Sequence, residues 1–299
     1  MNTEHQKINL KIGPYEVYPI PTGLFALDGG AMFGTVPKVL WEKSNPADNH
    51  NRIQMEARAL LLKSHDKNIL IDTGNGSDFI LKYGDKLGSK FAEMYSVDQS
   101  GPSLEKSLEK YGLNSLNITD VILTHLHFDH AGGATKEINQ KLAPAFPNAK
   151  YYIQNENLKT AQNPNIREKA SYFSANYQPL LDHHQLQIID GNINNLIPNI
   201  SVWVSNGHTL GHQVVMIEDD SKKLIYCGDV IPTSSHIRSA WIMGYDLDPL
   251  QIIEEKAHLL HSSKSKQTYF FFEHDPYCDL ATVEADRNDF KVKDRFWLS

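Results

Sequence analysis

The chain has 299 residues, 40% hydrophobic and 22% charged, with 18 Gly and 14 Pro; this ordinary globular composition, with length enough to bury a sizeable core, excludes disorder as the main state. Lys plus Arg number 29 against 36 Asp plus Glu, and the formal charge of −7 argues against nucleic acid as a partner. No stretch approaches the roughly 18 apolar residues that span a bilayer, the first seven residues are polar, and Cys227 and Cys278 cannot make a disulfide framework, so a cytoplasmic protein without a membrane anchor is expected.

One α/β domain over 1–299 is expected, with two longer interruptions. Residues 15–20 and 57–63 read as strands, and 68–72 as the return of a hairpin turning at His65-Asp66. Between the first two lies a Gly/Pro-punctuated loop, 23–54, whose Leu24, Phe25, Met32, Phe33, Leu40 and Trp41 predict that it folds over something, as a substrate loop would. Residues 103–111 predict a helix with Leu104 and Leu108 on one face, and 121–124 a buried strand. The segment 154–184 reads as short helices separated by Pro, a lid-like insertion. Strands follow at 186–189, 201–204, 214–217, 224–227 and 268–272. Before the last of them a helix starts at Asp248 as N-cap with Pro249 in its first turn, and Leu250, Ile253, Ala257 and Leu260 make its expected buried stripe. The final segment, 289–299, alternates loosely and reads as an edge strand.

Fourteen histidines raise the question of metal binding and proton transfer. His125-Leu126-His127-Phe128-Asp129-His130 brings four ligand-type side chains into one short string. On an extended segment His125 and His127 point to the same side, and the turn that follows returns Asp129 and His130 towards the same point. His212 begins a strand, Asp229 follows strand 224–227 and His274 follows strand 268–272, and strand ends converge at one rim of a sheet. These five His and two Asp suffice for two divalent ions: His125, His127 and His212 on one, Asp129, His130 and His274 on the other, with Asp229 bridging. Imidazole and carboxylate suit Zn²⁺, the first choice, and also Fe²⁺, Mn²⁺, Co²⁺ or Ni²⁺. Two cations close together lower the pKa of a bridging water from about 15.7 to roughly 7, so hydroxide is available as nucleophile at neutral pH. Asp129 and Asp229 are the catalytic carboxylates of this reading, Asp129 carrying a proton to the leaving oxygen.

Met32, Phe33, Trp41, Phe173, Tyr177 and His236 are candidates for an apolar substrate pocket beside that centre; the same aromatics suit an ordinary core or a homodimer interface. His208, four residues before His212, reads as a turn-stabilising or ligand-supporting residue rather than a ligand. Asp72, in Asp72-Thr73-Gly74, reads as a ligand-orienting carboxylate or as part of a plain turn.

The run Thr124-His125-Leu126-His127-Phe128-Asp129-His130-Ala131-Gly132-Gly133, with Gly207-His208-Thr209-Leu210-Gly211-His212, Gly228-Asp229 and the late His274, resembles the metallo-β-lactamase superfamily over about 57–274. The resemblance implies a four-layered αββα sandwich with a dinuclear site at one edge, and the ligand set above follows the family's motif. Within the superfamily, the 27–34 stretch, Pro37-Lys38, Leu40-Trp41, the 167–172 stretch and Phe272-Glu273-His274-Asp275-Pro276 look like the quorum-quenching lactonase branch, which opens N-acyl homoserine lactones. The expectation is therefore a dinuclear metal-dependent lactonase, a carboxylic ester hydrolase working through a metal-bridging hydroxide on a small-molecule lactone. The same site acting on an organophosphate triester or a general ester is the alternative, and a non-catalytic metal-binding protein the third reading. Some lactonases of this kind carry, three residues after the bridging aspartate, a tyrosine that helps polarise the carbonyl. Pro232 stands there in this chain, which leaves His236, Tyr245, Tyr172 and Tyr177 as candidate substitutes.

Overall fold

The computed structural model describes residues 6–98, 100–263 and 266–299, so the polar residues 1–5 lie outside the described residues. The chain divides into two compact units: one runs up to Val17 and continues with Ala26–Met55 and Asn192–Ser299, and the other comprises Tyr18–Phe25 and Glu56–Gly191.

The first unit is built on a mixed sheet. Among the described residues its strand order is Gln6–Ile8, Asp289–Leu298, Leu280–Asp286, Gln267–Phe271, Lys222–Tyr226, His212–Glu218, Ile200–Ser205, Ile193–Ile197. Lys222–Tyr226 and Gln267–Phe271 are parallel, which requires a crossover connection, and the helix Pro249–Ser262 lies on it. Asp248 caps that helix by accepting the Leu250 and Gln251 amides, with Pro249 in the first turn, where a missing N–H costs nothing.

The buried face of this helix differs from the expected stripe. It consists of Ile252, Glu255, Lys256, Leu259 and Leu260, while Leu250 is 75% exposed. Two charged residues displace the apolar pattern because their groups are satisfied inside. Glu255 accepts from Ser205 Oγ and from the Asn206 and Gly207 amides, and Lys256 Nζ donates to the Arg238, Ser239 and Trp241 carbonyls. The last strand, Asp289–Leu298, has a further neighbour at its C-terminal end, where Gln6–Ile8 pairs in parallel with Phe296, Trp297 and Leu298, a partner that a loosely alternating C-terminal segment does not announce.

In the second unit the sheet order is Leu186–Ile189, Lys150–Gln154, Asp120–Ile122, Asn68–Ile71, followed by the parts of Arg52–Lys63 and Tyr15–Asp28 that lie in this unit. The first four strands are parallel to one another. Parallel strands covered on both faces read as unbroken apolar runs, and Ile69, Leu70, Ile71, Val121 and Ile122 are all fully buried. They join Leu104 and Leu108 of the helix Leu104–Glu109 in one core; Ser103 caps this helix by accepting the Lys106 amide.

The expected loop 23–54 is shorter than its composition suggested. Tyr15–Asp28 is one long strand and Arg52–Lys63 begins before Gln54, while the span between them, in the first unit, holds the short helices Gly29–Phe33 and Lys38–Trp41. The segment 154–184 contains the helices Asn155–Gln162 and Gln178–Asp182. No helix among the described residues is long and apolar enough to cross a membrane.

Candidate metal centre

In the second unit the strand Asp120–Ile122 ends just before the histidine string, and His127 stands at the N-cap of the short helix Phe128–Ala131. His125 and His130 are fully buried, whereas His127 and Asp129 are 8% and 6% exposed. His125 Nε2 and His127 Nδ1 lie 2.9 Å apart, and the His125 and His130 ring centroids are 4.0 Å apart. Asp72 organises this group. Its Oδ1 accepts the Thr124 amide and its Oδ2 the Thr124 hydroxyl, each at 2.7 Å, and Oδ2 is 3.0 Å from His130 Nδ1. An ionised carboxylate only accepts, so His130 carries its proton on Nδ1 and its lone pair on Nε2.

Gly132 and Gly133 make this approach feasible. A Cβ at Gly132 would fall 2.1 Å from the Asn75 carbonyl oxygen, and one at Gly133 2.3 Å from that of Thr73. The Ala-Gly-Gly ending of the string is therefore a packing requirement between the His130 helix and the Asp72 turn. On its other flank His127 stands 3.9 Å from the Glu168 carboxylate and 4.7 Å, ring to ring, from Tyr172.

In the first unit Asp229 lies in the turn Gly228–Val230 just beyond the strand Lys222–Tyr226. Its Oδ2 is 3.2 Å from His208 Nε2 and its Oδ1 3.2 Å from His274 Nε2. His208 Nδ1 is in turn 3.0 Å from Asp246 Oδ1, and Asp246 Oδ2 accepts the Met243 amide. Burial raises the Asp246 carboxyl above its ordinary pKa, opposed by its bond to His208. His274 is anchored through its own amide to the Pro232 carbonyl, and its neighbour Glu273, fully buried, accepts the Tyr226 hydroxyl.

His212, a ligand in the sequence reading, begins the strand His212–Glu218 beside the Asp229 turn. Its Nε2 accepts the backbone N–H of Asp229 at 3.1 Å. The imidazoles facing the Asp229 carboxylate are those of His208 and His274. Sequence reasoning also missed Asp246, which sits 38 residues from its partner with no motif around it.

Of the proposed pocket residues, Met32, Phe33, Trp41 and His236 are buried together in the first unit. Phe33 stacks on Trp41 at 5.3 Å and on His236 at 4.7 Å. His236 Nε2 is 2.8 Å from the Met32 carbonyl and Nδ1 2.8 Å from Thr233 Oγ1; burial pushes its pKa down to about 3, against the opposing bond to Met32. In the second unit Phe173 stacks on Tyr83 at 4.0 Å beside Phe79, Phe91 and Phe128, and Tyr177, buried, gives its hydroxyl to the Ala161 carbonyl. The Tyr172 hydroxyl lies 3.4 Å from both Glu168 and Asn157, and Tyr245 is 40% exposed.

The chemistry of these donors fits divalent cations. In each unit a buried carboxylate holds the Nδ1 of an imidazole, Asp72 for His130 and Asp246 for His208, which is how metal-binding histidines are oriented to ligate through Nε2. Clustered His and Asp side chains able to hold an ion are present among the described residues.

The family model of the metallo-beta-lactamase superfamily matches residues 56–274. An N-acyl homoserine lactonase of Bacillus cereus is 26% identical over 216 residues, 70% of this chain and 73% of the relative. A probable metal-dependent hydrolase from Staphylococcus aureus has a similar crystal structure, with TM-score 0.84 and 30% identity over 96% of this chain and 98% of that one. AidC, a dizinc quorum-quenching lactonase solved with a product, shares the fold at TM-score 0.77 and 23% identity, with 99% of each chain covered.

Proposed function

Because the chain belongs to the metallo-beta-lactamase superfamily and has its α/β fold, we propose that it is a metal-dependent lactonase that opens N-acyl homoserine lactones. In this reading His125, His127, Asp129, His130, His208, Asp229 and His274 hold two divalent ions, Zn²⁺ first among them. The observation that carries it is the matched pair of carboxylate-held imidazoles, His130 on Asp72 and His208 on Asp246. The choice of lactone as substrate is supported by the relatives that bear the name N-acyl homoserine lactonase.

Bound divalent ions would supply a nucleophile from water at neutral pH and a Lewis acid for the carbonyl. In ring opening, oxygen from water bonds to the acyl carbon, the ring C–O bond breaks, and the departing oxygen takes a proton to give the N-acyl homoserine carboxylate. Asp129, in the first turn of its helix and 6% exposed, is the carboxylate placed to move that proton. Asp72 and Asp246 hold their imidazoles in one tautomer throughout. Phe128, between His127 and Asp129, packs edge-on to Phe91 at 4.6 Å and stacks on Tyr95 at 5.1 Å. This aromatic group, which Phe173 joins, gives the acyl chain an apolar wall next to the donor string.

The test is ring opening of an N-acyl homoserine lactone, followed by proton release, in protein as purified, after chelation and after reloading with Zn²⁺. Turnover is expected to disappear with chelator and return with the ion. Lactone opening that ignores chelation, or a panel in which paraoxon alone is consumed, would overturn the lactonase reading.

A further inference from the structure

The turn Ser234–Ile237 is tied to the segment that bears His274, since the Ser234 amide donates to the buried Asp275 carboxylate at 2.7 Å. The same turn lines a pocket of about 250 Å³ in the first unit, to which neither Asp229 nor any of the histidines contributes. Arg238, Lys291 and Arg295 bring three cations to it, and Ser44, Ser234 and Ser235 three hydroxyls. In a chain of net charge −7 such a concentration of positive charge runs against the overall field. We propose that this pocket is a binding site for a small phosphomonoester.

The ligand class follows from the donors. Arg295 makes no ion pair among the described residues, and its Nε is 3.4 Å from Ser234 Oγ. Arg238 meets Asp286 only at 3.9 Å, and the 3.2 Å pair of Lys291 with Glu284 joins two half-exposed side chains. Exposed pairs of this kind are weak, so an anion held by several donors at once displaces them. A carboxylate is satisfied by one guanidinium fork. A phosphoryl dianion with three terminal oxygens uses several cations together with neutral hydroxyl donors. Asn45 donates to Ser235 Oγ at 2.8 Å and Ser235 Oγ donates to Ser44 Oγ at 3.3 Å, so this hydroxyl is held in place, and a phosphoryl oxygen takes its proton by displacing the longer of these two contacts. Trp241 and Val292 add an apolar side to the pocket, which an organic ester group covers and inorganic phosphate does not.

Isothermal titration of the zinc-loaded full chain with phenyl phosphate, inorganic phosphate and benzoate tests this. Phenyl phosphate is expected to bind at least tenfold more tightly than either of the others. The double substitution Lys291→Ala/Arg295→Ala is expected to weaken it at least tenfold while zinc content and melting temperature stay unchanged. Equal affinity in the wild type and the double variant overturns the proposal. So does binding that disappears with chelator yet survives the double substitution, because the anion then sits on the bound metal ions.

Discussion

The two donor sets reach the same arrangement by opposite routes. In the second unit four ligand-type side chains come from one six-residue string, and the work of the fold is to turn that string sharply against the Asp72 loop. In the first unit His208, Asp229 and His274 come from three separate strand ends, and the fold must bring them to one place. Each set nevertheless contains an imidazole whose Nδ1 is held at 3.0 Å by a buried carboxylate from elsewhere in the chain. A contiguous motif thus displays its candidate ligands side by side, whereas in the dispersed set His208 and His212 are set apart only by their surroundings, one facing the Asp229 carboxylate and the other its backbone N–H.

The largest expected effect separates His208 from His212. His208→Ala should remove about one ion of two and lower kcat/KM by at least about 100-fold, since loss of a ligand exceeds the loss of a group that merely orients one. His212→Ala should retain its ions and instead lower stability by about 1–3 kcal/mol, the cost of leaving the buried Asp229 amide without an acceptor. Ion content by atomic absorption together with lactone turnover reads both. The reverse pattern would restore His212 as the ligand and break the contrast between the two sets.

Next in size are the orienting carboxylates. Asp72→Asn and Asp246→Asn keep the shape of the side chain but remove the charge that holds the Nδ1 proton, and each should weaken ion binding by about 10–100-fold. Competition with a chromophoric chelator measures this. If only one of the two substitutions has an effect, the matched pairing is coincidental.

This contrast also explains what could be read without coordinates. The parallel strands of the second unit were legible because full burial leaves no polar alternation to confuse, as at Val121 and Ile122. The His125 to His130 string was legible because its ligands are neighbours. The surroundings of His208 were not, because two histidines four residues apart in one glycine-bracketed run carry the same signal, and what sets them apart is the Asp229 backbone N–H at His212 and a distant Asp246 at His208. The helix Pro249–Ser262 was placed by its cap, but its buried face was misread, since Glu255 and Lys256 are inside with their hydrogen bonds made. Apolar periodicity cannot register polar groups that the fold satisfies.

A smaller effect is expected from His236, which belongs to the first unit alone. It is buried as the neutral imidazole with its pKa depressed to about 3, against about 6.5 in the unfolded chain. Between these values the unfolded state binds a proton that the folded state does not, so stability falls as pH drops through the window and is flat above about 6.5. The slope from this one group is about 1.4 kcal/mol per pH unit. His236→Phe should flatten that part of the denaturation profile between pH 6 and 5, measured by urea titration. An unchanged slope would mean that His236 is not the group that titrates.

The smallest effects test whether the two units behave as the one domain expected from the sequence. Ser103 caps a helix of the second unit and Asp248 a helix of the first, and replacing either with alanine removes an acceptor for N-terminal amides at a cost of about 1 kcal/mol. If the chain melts as one cooperative body, Ser103→Ala and Asp248→Ala lower the same single transition in calorimetry, each by about 2–4 °C. If the units melt separately, two transitions are resolved and each substitution moves only its own. One cooperative domain predicts the first result, and two independent shifts would show that the contiguous and the dispersed donor sets belong to bodies that fold apart.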